Sequence, residues 1–285
     1  MVVTVLEAIQ KSAEFLAKKG VESPRLQTEL LLAHLLKMPR MKLYLNFDRM
    51  LSTAETNALR EFVKRRGQRE PLQHITGSTS FCGYEIAVNR HVLVPRPETE
   101  MLAELGWQFL STINHQPSTC LDFCTGSGCI AIALAAKCLN AIIIATDISA
   151  EALALAGENA ARNNVAERIE FRLGDGFAAL ANGAQFDLIV SNPPYIPSAE
   201  IATLDPEVRN FDPHAALDGG ADGLEFYRLI ASQAAAFLKP GGKIMVEFGD
   251  GHAEAIRKIF EMEKWIVEAV KEDYSQRARI LVARR

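Results

Sequence analysis

Four consecutive residues, Asn192-Pro193-Pro194-Tyr195, follow directly on the apolar run FDLIVS, and their types suit one kind of chemistry. Two prolines fix the backbone and remove its N–H donors, so the segment presents carbonyl oxygens and the Asn192 side chain in a rigid array. Such an array matches an NH2 group with two hydrogens to donate. The Asn192 side-chain oxygen and the Pro193 carbonyl can take one each, leaving the out-of-plane electron density of the nitrogen open to attack an electrophile. A conjugated amide or exocyclic amine nitrogen is a poor nucleophile because its lone pair is delocalised. Acceptors aimed at its hydrogens stabilise the positive charge that develops as it attacks, and alignment against a methyl group held nearby supplies the rest. Tyr195 is expected to wall or stack on the planar group. An isolated copy of this tetrapeptide is an ordinary proline turn; its meaning here comes from what precedes it.

The segment LDFCTGSGCIAIAL places Asp122, Gly126 and Gly128 where an apolar strand hands over to a helix. Glycines let the backbone pass close to a ligand, and the start of the helix offers unpaired N–H groups. A dinucleotide fingerprint has a third glycine where this chain has Ala131, a residue tolerated there, so the glycines alone leave a nicotinamide enzyme open. Asp147 closes AIIIATD about twenty residues later, where an acid accepts hydrogen bonds from ribose hydroxyls. Asp175, in LGDGF, ends the next strand. Singly, each acid has an ordinary structural role: Asp122 bracing the turn, Asp147 capping the helix that begins at Ser149, Asp175 steadying a turn. Together, at three successive strand tips, they are expected to line one crevice that takes a nucleoside.

The elements that must position these residues are legible as patterns. From residue 118 apolar strands alternate with helical segments, which implies crossover connections and a parallel sheet with helices on both faces. WIVEAV and ARILVAR read as a closing antiparallel pair. Ahead of this region, Val5, Leu6, Ile9, Ala13 and Leu16 repeat at helical spacing and stop at Gly20. A second helix opens near Pro24 and ends before Pro39. Ser52 and Glu55 form a capping-box signature for a third, which closes at Gly67. Between Ile75 and Val88 the period changes to alternation, as for a hairpin bridging two domains. The run VPRPETE then opens a helix with Glu98 and Glu100 in its first turn; an Arg96–Glu98 ion pair is expected there.

Bulk properties exclude several classes. At 285 residues the chain exceeds one typical domain. Its 48% hydrophobic and 23% charged residues give enough apolar material for a core, which excludes disorder. No apolar run approaches the roughly 18 to 20 residues of a bilayer span, and MVVTVLEAIQKSAEF has no basic leader or small-residue cleavage site, so a cytoplasmic protein is expected. Five cysteines without paired Cys-x-x-Cys spacing read as reduced thiols. His214 and His252 lack a convergent ligand set, so no metal is expected. Residues 1–90 hold 14 Lys and Arg against 9 Asp and Glu, and the remainder carries a balance of −9, which argues against a continuous nucleic-acid groove. The basic run Lys64 to Arg69 reads as the solvated end of a helix. The Gly- and Asp-rich stretch from Asp212 to Gly223 is expected to order when substrate binds.

Beyond LDFCTGSGCIAIAL and SNPPYIP, the chain carries PLQHITGSTSFCGYEIAVNRHVLVPRPETE (71–100), DPHAALDGGADGLEFYRLI (212–230) and KPGGKIMVEFG. In these it resembles, over essentially its whole length, the PrmC/HemK family of release-factor glutamine methyltransferases within the class I S-adenosylmethionine-dependent methyltransferases. The tetrapeptide is shared with adenine and cytosine amino-methylating enzymes, whereas the longer blocks are far more specific. The resemblance implies an α/β fold: a Rossmann-like class I methyltransferase sheet with a small N-terminal helical bundle domain (1–72), a β-hairpin linker (73–93) and a catalytic domain (94–285). It implies S-adenosylmethionine as cofactor and S-adenosylhomocysteine as product. The cofactor would lie against Cys124, Thr125, Gly126, Ser127, Gly128, Asp147 and the Asp175-Gly176-Phe177 turn, and would border Asn192. Asn192, Pro193, Pro194 and Tyr195 would hold the glutamine amide, and the bundle would help grip a peptide chain release factor whose Gly-Gly-Gln tip enters the crevice. A monomer is expected, with no DNA or membrane partner; the rival reading is a nucleic-acid adenine amino-methyltransferase. The family opens its glycine turn with glycine where this chain has Cys124, and a Cβ there restricts positive backbone angles.

Overall fold

The fold is that of a computed structural model, whose description covers residues 3–114 and 117–285. The first helices are α1 (Val5–Lys18), α2 (Pro24–Leu35), α3 (Arg40–Tyr44), α4 (Thr53–Gly67) and α5 (Leu72–Thr76). A hairpin of β1 (Ser78–Phe81) and β2 (Tyr84–Ala87) precedes α6 (Pro97–Leu110). Alternation follows: β3 (Ser118–Phe123), α7 (Cys129–Lys137), β4 (Ala141–Asp147), α8 (Ala150–Arg162), β5 (Ile169–Leu173) and β6 (Phe186–Ser191). The chain closes with α9 (Pro206–Phe211), α10 (Glu225–Gln233), β7 (Leu238–Glu247), α11 (Ala253–Met262), β8 (Ile266–Glu272) and β9 (Ala278–Arg284). Among the described residues no helix is long and apolar enough to cross a membrane.

Internal packing divides the chain into two compact units. One runs up to Ser78 and takes in Asp205–Phe211, and the other comprises Thr79–Leu204 and Asp212–Arg285. In the first unit α1 and α4 each start on a reciprocal capping box, Thr4 with Glu7 and Ser52 with Glu55. Their apolar stripes bury Val5, Ile9, Leu16, Leu59 and Val63 against Leu31 and Leu32 of α2. Buried Glu29 on α2 receives Arg25, Arg40 and the Tyr44 hydroxyl, which fixes the short α3 that apolar periodicity did not reveal. Helix α9 belongs to this unit through Glu207, which accepts from Arg66 at 2.8 Å and Arg69 at 2.6 Å. Arg66 is buried and also donates to Gln27 and to the Glu70 carbonyl, and Arg65 pairs with Glu70. Arg65, Arg66 and Arg69 of the run from Lys64 to Arg69 are therefore ion-paired within this unit, while Lys64 and Gln68 remain exposed as for a solvated helix end. Glu207 lies 138 and 141 residues away from Arg69 and Arg66 in sequence, beyond the reach of any local pattern.

The second unit is built on a seven-stranded sheet in the order β5-β4-β3-β6-β7-β9-β8, with β3 to β7 parallel and β9 antiparallel to both neighbours. The chain moves outward from β3 to β4 and β5, then returns to place β6 on the other side of β3. That reversal opens a crevice between the carboxyl ends of β3 and β6, where open α/β sheets take their ligands. It explains why the glycine turn after β3 and the tetrapeptide after β6, about seventy residues apart in sequence, meet. The β1–β2 hairpin turns on Cys82 and Gly83, at φ 51 and 82, the pairing of left-handed residues that tight hairpins favour. Phe81, Ile86 and Val88 bury into the same core as α7 and β3.

Candidate active site

A crevice of about 250 Å³ lies at the reversal point, and Gly126, Asp147, Asp175 and Asn192 all line it. Each reaches it by a different local device. The turn after β3 carries Cys124 at φ 62, Gly126 at φ 55 and Gly128 at φ 79. At Gly128 a Cβ would stand 3.0 Å from the Ala156 Cβ of α8, so close helix packing adds to the backbone requirement. At Gly126 a Cβ would meet nothing within 4 Å, so the angle alone selects glycine. Cys124 keeps the left-handed path despite its side chain, at a cost of roughly 1–2 kcal/mol for a non-glycine residue. Asn159 of α8 secures the turn from behind: buried, it donates to the Ser127 carbonyl at 3.0 Å and exchanges two hydrogen bonds with Ala87 at the end of β2.

Of the three acids expected to share the crevice, two do. Asp147 accepts from Gly126 N at 2.8 Å through Oδ2 and from Ser149 N at 2.9 Å through Oδ1, so its carboxylate is fixed between the glycine turn and the start of α8. The cap of α8 is Ser149 itself, which accepts from Ala152 N. Both Asp147 oxygens retain a lone pair for further donors. Asp175 is exposed and lines the crevice, followed by Gly176. Asp122 is completely buried beneath the turn, where Oδ2 accepts from the Thr125 hydroxyl at 2.6 Å and from Ala131 N at 3.0 Å. Burial, with a smaller push from Asp147, raises its carboxyl to about 7. Its role is to brace the turn, because a strand residue one short of the tip points into the sheet's flank and not over its edge.

Asn192 leaves β6 with its Nδ2 donating to Thr99 Oγ1 at 3.1 Å, and Thr99 lies in the first turn of α6. Pro194 lines the crevice as well, while Pro193 does not. Tyr195 turns away from it: a Cβ at Gly249 would stand 2.8 Å from Tyr195 Cδ2, so the ring packs over that glycine in place of walling the crevice. Phe177 is buried, stacked on Phe123 at 4.8 Å and on Phe237 at 5.0 Å, and supports the crevice wall from within. Arg96 pairs with Asp212 at 3.1 Å, not with Glu98, and Asp212 is buried with its carboxyl pushed up to about 6 by that burial.

The Asp212–Gly223 stretch packs along the end of the tetrapeptide and the residues that follow it. Ile196 N donates to the Leu217 carbonyl at 3.0 Å, Gly219 N to the Ile196 carbonyl at 2.9 Å and Ser198 N to the Gly220 carbonyl at 2.9 Å. The contact is backbone on backbone, because Gly219 and Gly223 face Tyr195 with no Cβ of their own.

Two residues that sequence reasoning passed over complete the site. Thr99 sits in PRPETE, where the acids drew attention. Glu247 ends β7 inside the apolar run IMVEF and is 3% exposed. Burial and the charge of Glu98 push its carboxyl up to about 7 against the opposing pull of Thr99, Arg279 and Asn192. An acid breaking an apolar strand at its carboxyl end was the available signal.

Comparison with known proteins gives a consistent result. Residues 7–77 match the family model described as PrmC N-terminal domain, and residues 106–204 match the Methyltransferase small domain. A release factor glutamine methyltransferase of Geobacter sulfurreducens is 46% identical over 257 residues, covering 90% of this chain and 88% of its own length. One from Rhodospirillum rubrum is 42% identical over 277 residues, covering 97% and 84%. Among solved structures, a methyltransferase from Pyrococcus furiosus aligns with a TM-score of 0.53 at 21% identity, covering 77% of this chain and 97% of that one, a likeness of fold.

Proposed function

The chain belongs to the family of release factor glutamine methyltransferases, and on that premise we propose that it transfers the methyl group of S-adenosylmethionine to the side-chain amide nitrogen of the glutamine in the Gly-Gly-Gln motif of peptide chain release factors. The observation that carries this reading is Asn192 in the wall of the crevice that Gly126, Asp147 and Asp175 also line. Because its Nδ2 is committed to Thr99, Oδ1 is the atom of that carboxamide left to accept.

The crevice fits a nucleoside on its own chemistry. It offers a carboxylate with spare lone pairs, a glycine without a side chain beside it, and apolar walls in Ile148 and Phe226. Cys124 to Gly128, Asp147 and Asp175-Gly176 would hold the cofactor, with Phe177 behind them and Asn192 at the boundary with substrate. When bound, S-adenosylmethionine supplies a methyl group on a sulfonium. The Asn192 Oδ1 accepts one amide hydrogen, which orients the nitrogen and stabilises the charge it gains in the transition state. Pro193, outside the crevice lining, and Pro194 within it fix the backbone that carries Asn192. Tyr195 anchors the segment by its packing on Gly249. No side-chain base is needed, since an N-methylated amide bearing positive charge loses its proton readily.

The direct test is to incubate the protein with radiolabelled S-adenosylmethionine and either a release factor or DNA. Label on the release factor, mapped to the glutamine, is the expected result, and label on DNA instead overturns the proposal. The helical unit is assigned to recognition of the protein substrate. Deleting residues 1–72 should therefore lower kcat/KM on intact release factor by about tenfold or more, while a short Gly-Gly-Gln peptide loses less than about threefold. Because Arg66 and Arg69 go with the deletion, Glu207→Gln should accompany it so that no carboxylate is left without its partners. Equal losses on both substrates would mean a folding defect and no recognition role.

A further inference from the structure

We propose that Glu247 is the positioning residue of this site: from behind the crevice wall it holds the Asn192 carboxamide with its NH2 inward and Oδ1 outward, and its charge strengthens Oδ1 as an acceptor for the substrate amide. The inference rests on the functional reading above and names a residue that reading does not use.

The geometry begins with strand register. Ser191 on β6 pairs with Val246 on β7, so the next residues, Asn192 and Glu247, leave adjacent parallel strands side by side. Thr99, from the first turn of α6, accepts the Asn192 Nδ2 hydrogen bond at 3.1 Å. Both Thr99 and Asn192 act on the Glu247 carboxyl through hydrogen bonding. Glu247 itself is 3% exposed, and its Oε2 has no hydrogen-bond partner. A buried acid with an oxygen left unpaired is costly, and an apolar residue would serve the core better. Its presence therefore calls for a use, and the carboxamide beside it supplies one. A carboxylate facing the NH2 end of an amide polarises the group so that its oxygen carries more negative charge, since linked hydrogen bonds reinforce one another in a low-dielectric interior. That oxygen is the one turned to the substrate nitrogen as positive charge develops there.

The groups that face Glu247 set when the charge is present. Glu98 on α6 opposes ionisation, and Arg279 on β9 favours it. Tyr195 of the tetrapeptide senses the same carboxylate, and Tyr227 on α10 donates its hydroxyl to the Glu247 main-chain carbonyl at 2.8 Å. With burial dominant, the carboxyl titrates at about 7. Below that pH Glu247 is neutral and the polarisation is lost; above it the carboxylate is present, so the rate of methyl transfer rises with pH through neutrality.

The test is the single-turnover rate of methyl transfer to a Gly-Gly-Gln peptide from about pH 5.5 to about pH 9, a window that brackets a carboxyl titrating near neutrality. The wild type should show an inflection near 7. Glu247→Gln keeps a hydrogen-bond acceptor without the charge. It should run about tenfold slower on the alkaline side, the worth of one charged hydrogen bond, lack the inflection, and bind S-adenosylhomocysteine as the wild type does. An inflection arising from Asp212, pushed up to about 6, is told apart because it lies lower and survives this substitution. Thr99→Val removes a hydrogen bond that favours the carboxylate, so its inflection should move to higher pH; this variant carries the test if Glu247→Gln fails to fold. An unchanged inflection in Glu247→Gln, or an unmoved midpoint in Thr99→Val, overturns the proposal. So does a loss of cofactor affinity in step with the rate in Glu247→Gln. A wild type that transfers no methyl to the peptide at any pH would overturn the functional reading instead.

Discussion

Asn192→Ala is expected to lower kcat for methyl transfer by about 10²- to 10³-fold, the usual effect of removing one group that stabilises charge in a transition state. The affinity for S-adenosylhomocysteine should change little, because the cofactor's proposed hydrogen-bonding partners lie chiefly on the glycine turn and Asp147. The split follows from when the interaction is felt. In the ground state the substrate amide is a neutral donor that water satisfies almost as well; as its nitrogen attacks, its hydrogens become more acidic and the Asn192 oxygen gains value. Truncation should therefore act on kcat more than on KM. Asn192→Asp should fare no better, because it removes the donor to Thr99 and sets a second carboxylate beside Glu247 in a buried place. Transfer of label to a Gly-Gly-Gln peptide, with calorimetric titration of S-adenosylhomocysteine, measures both halves. A variant that keeps full turnover would remove Asn192 from the chemistry.

Gly223→Ala should be the most damaging of the small substitutions. Gly223 sits at φ 74, and a Cβ there would stand 2.3 Å from the Tyr195 carbonyl oxygen, a backbone atom that cannot swing aside. The strained angle alone costs about 1 kcal/mol or more, and displacing the two loops from each other breaks hydrogen bonds that hold the tetrapeptide in place. A total loss of roughly 3 kcal/mol or more is expected, seen as a fall in Tm of roughly 6–12 °C, with methyl transfer reduced because Ile196 and Tyr195 must move. Gly183→Ala is the matched control. It has a similar angle, φ 81, but its Cβ would meet nothing within 4 Å, so it should lose only about 1 kcal/mol and keep its activity. Equal melting of the two variants would mean that the loop contact contributes nothing.

The sequence foretold the sheet because its signals are local: each strand is a short apolar run, each crossover a helix of matching length, and WIVEAV with ARILVAR does close the sheet as an antiparallel pair. It foretold the crevice because glycine, acid and proline are demanded there by backbone geometry and hydrogen bonding at fixed places on strand ends. What it could not give were pairings across long separations. Arg66 with Glu207, Arg96 with Asp212 and Asn192 with Thr99 each depend on which loop folds over which, and nothing in the neighbourhood of either partner announces the other. Orientation was hidden for the same reason. The types of Asp122 and Tyr195 suit a ligand, yet one braces a turn and the other packs on Gly249, a contact that exists only because that position has no side chain. Glu247 carries little signal because a single acid in an apolar run looks like a strand's edge until its burial is known.

The membership of Asp205–Phe211 in the amino-terminal unit gives the polypeptide an order of assembly. Helices α1 to α5 are synthesised before the sheet, but Arg66 and Arg69 must wait for Glu207, which is made only after the glycine turn and the tetrapeptide. Until then two guanidinium groups face an incomplete pocket, so a unit begun before the sheet is finished only after much of the sheet has been made. A single protease cut after Ser78 would likewise fail to give two independent products, because one of them would still lack a helix carried by the other.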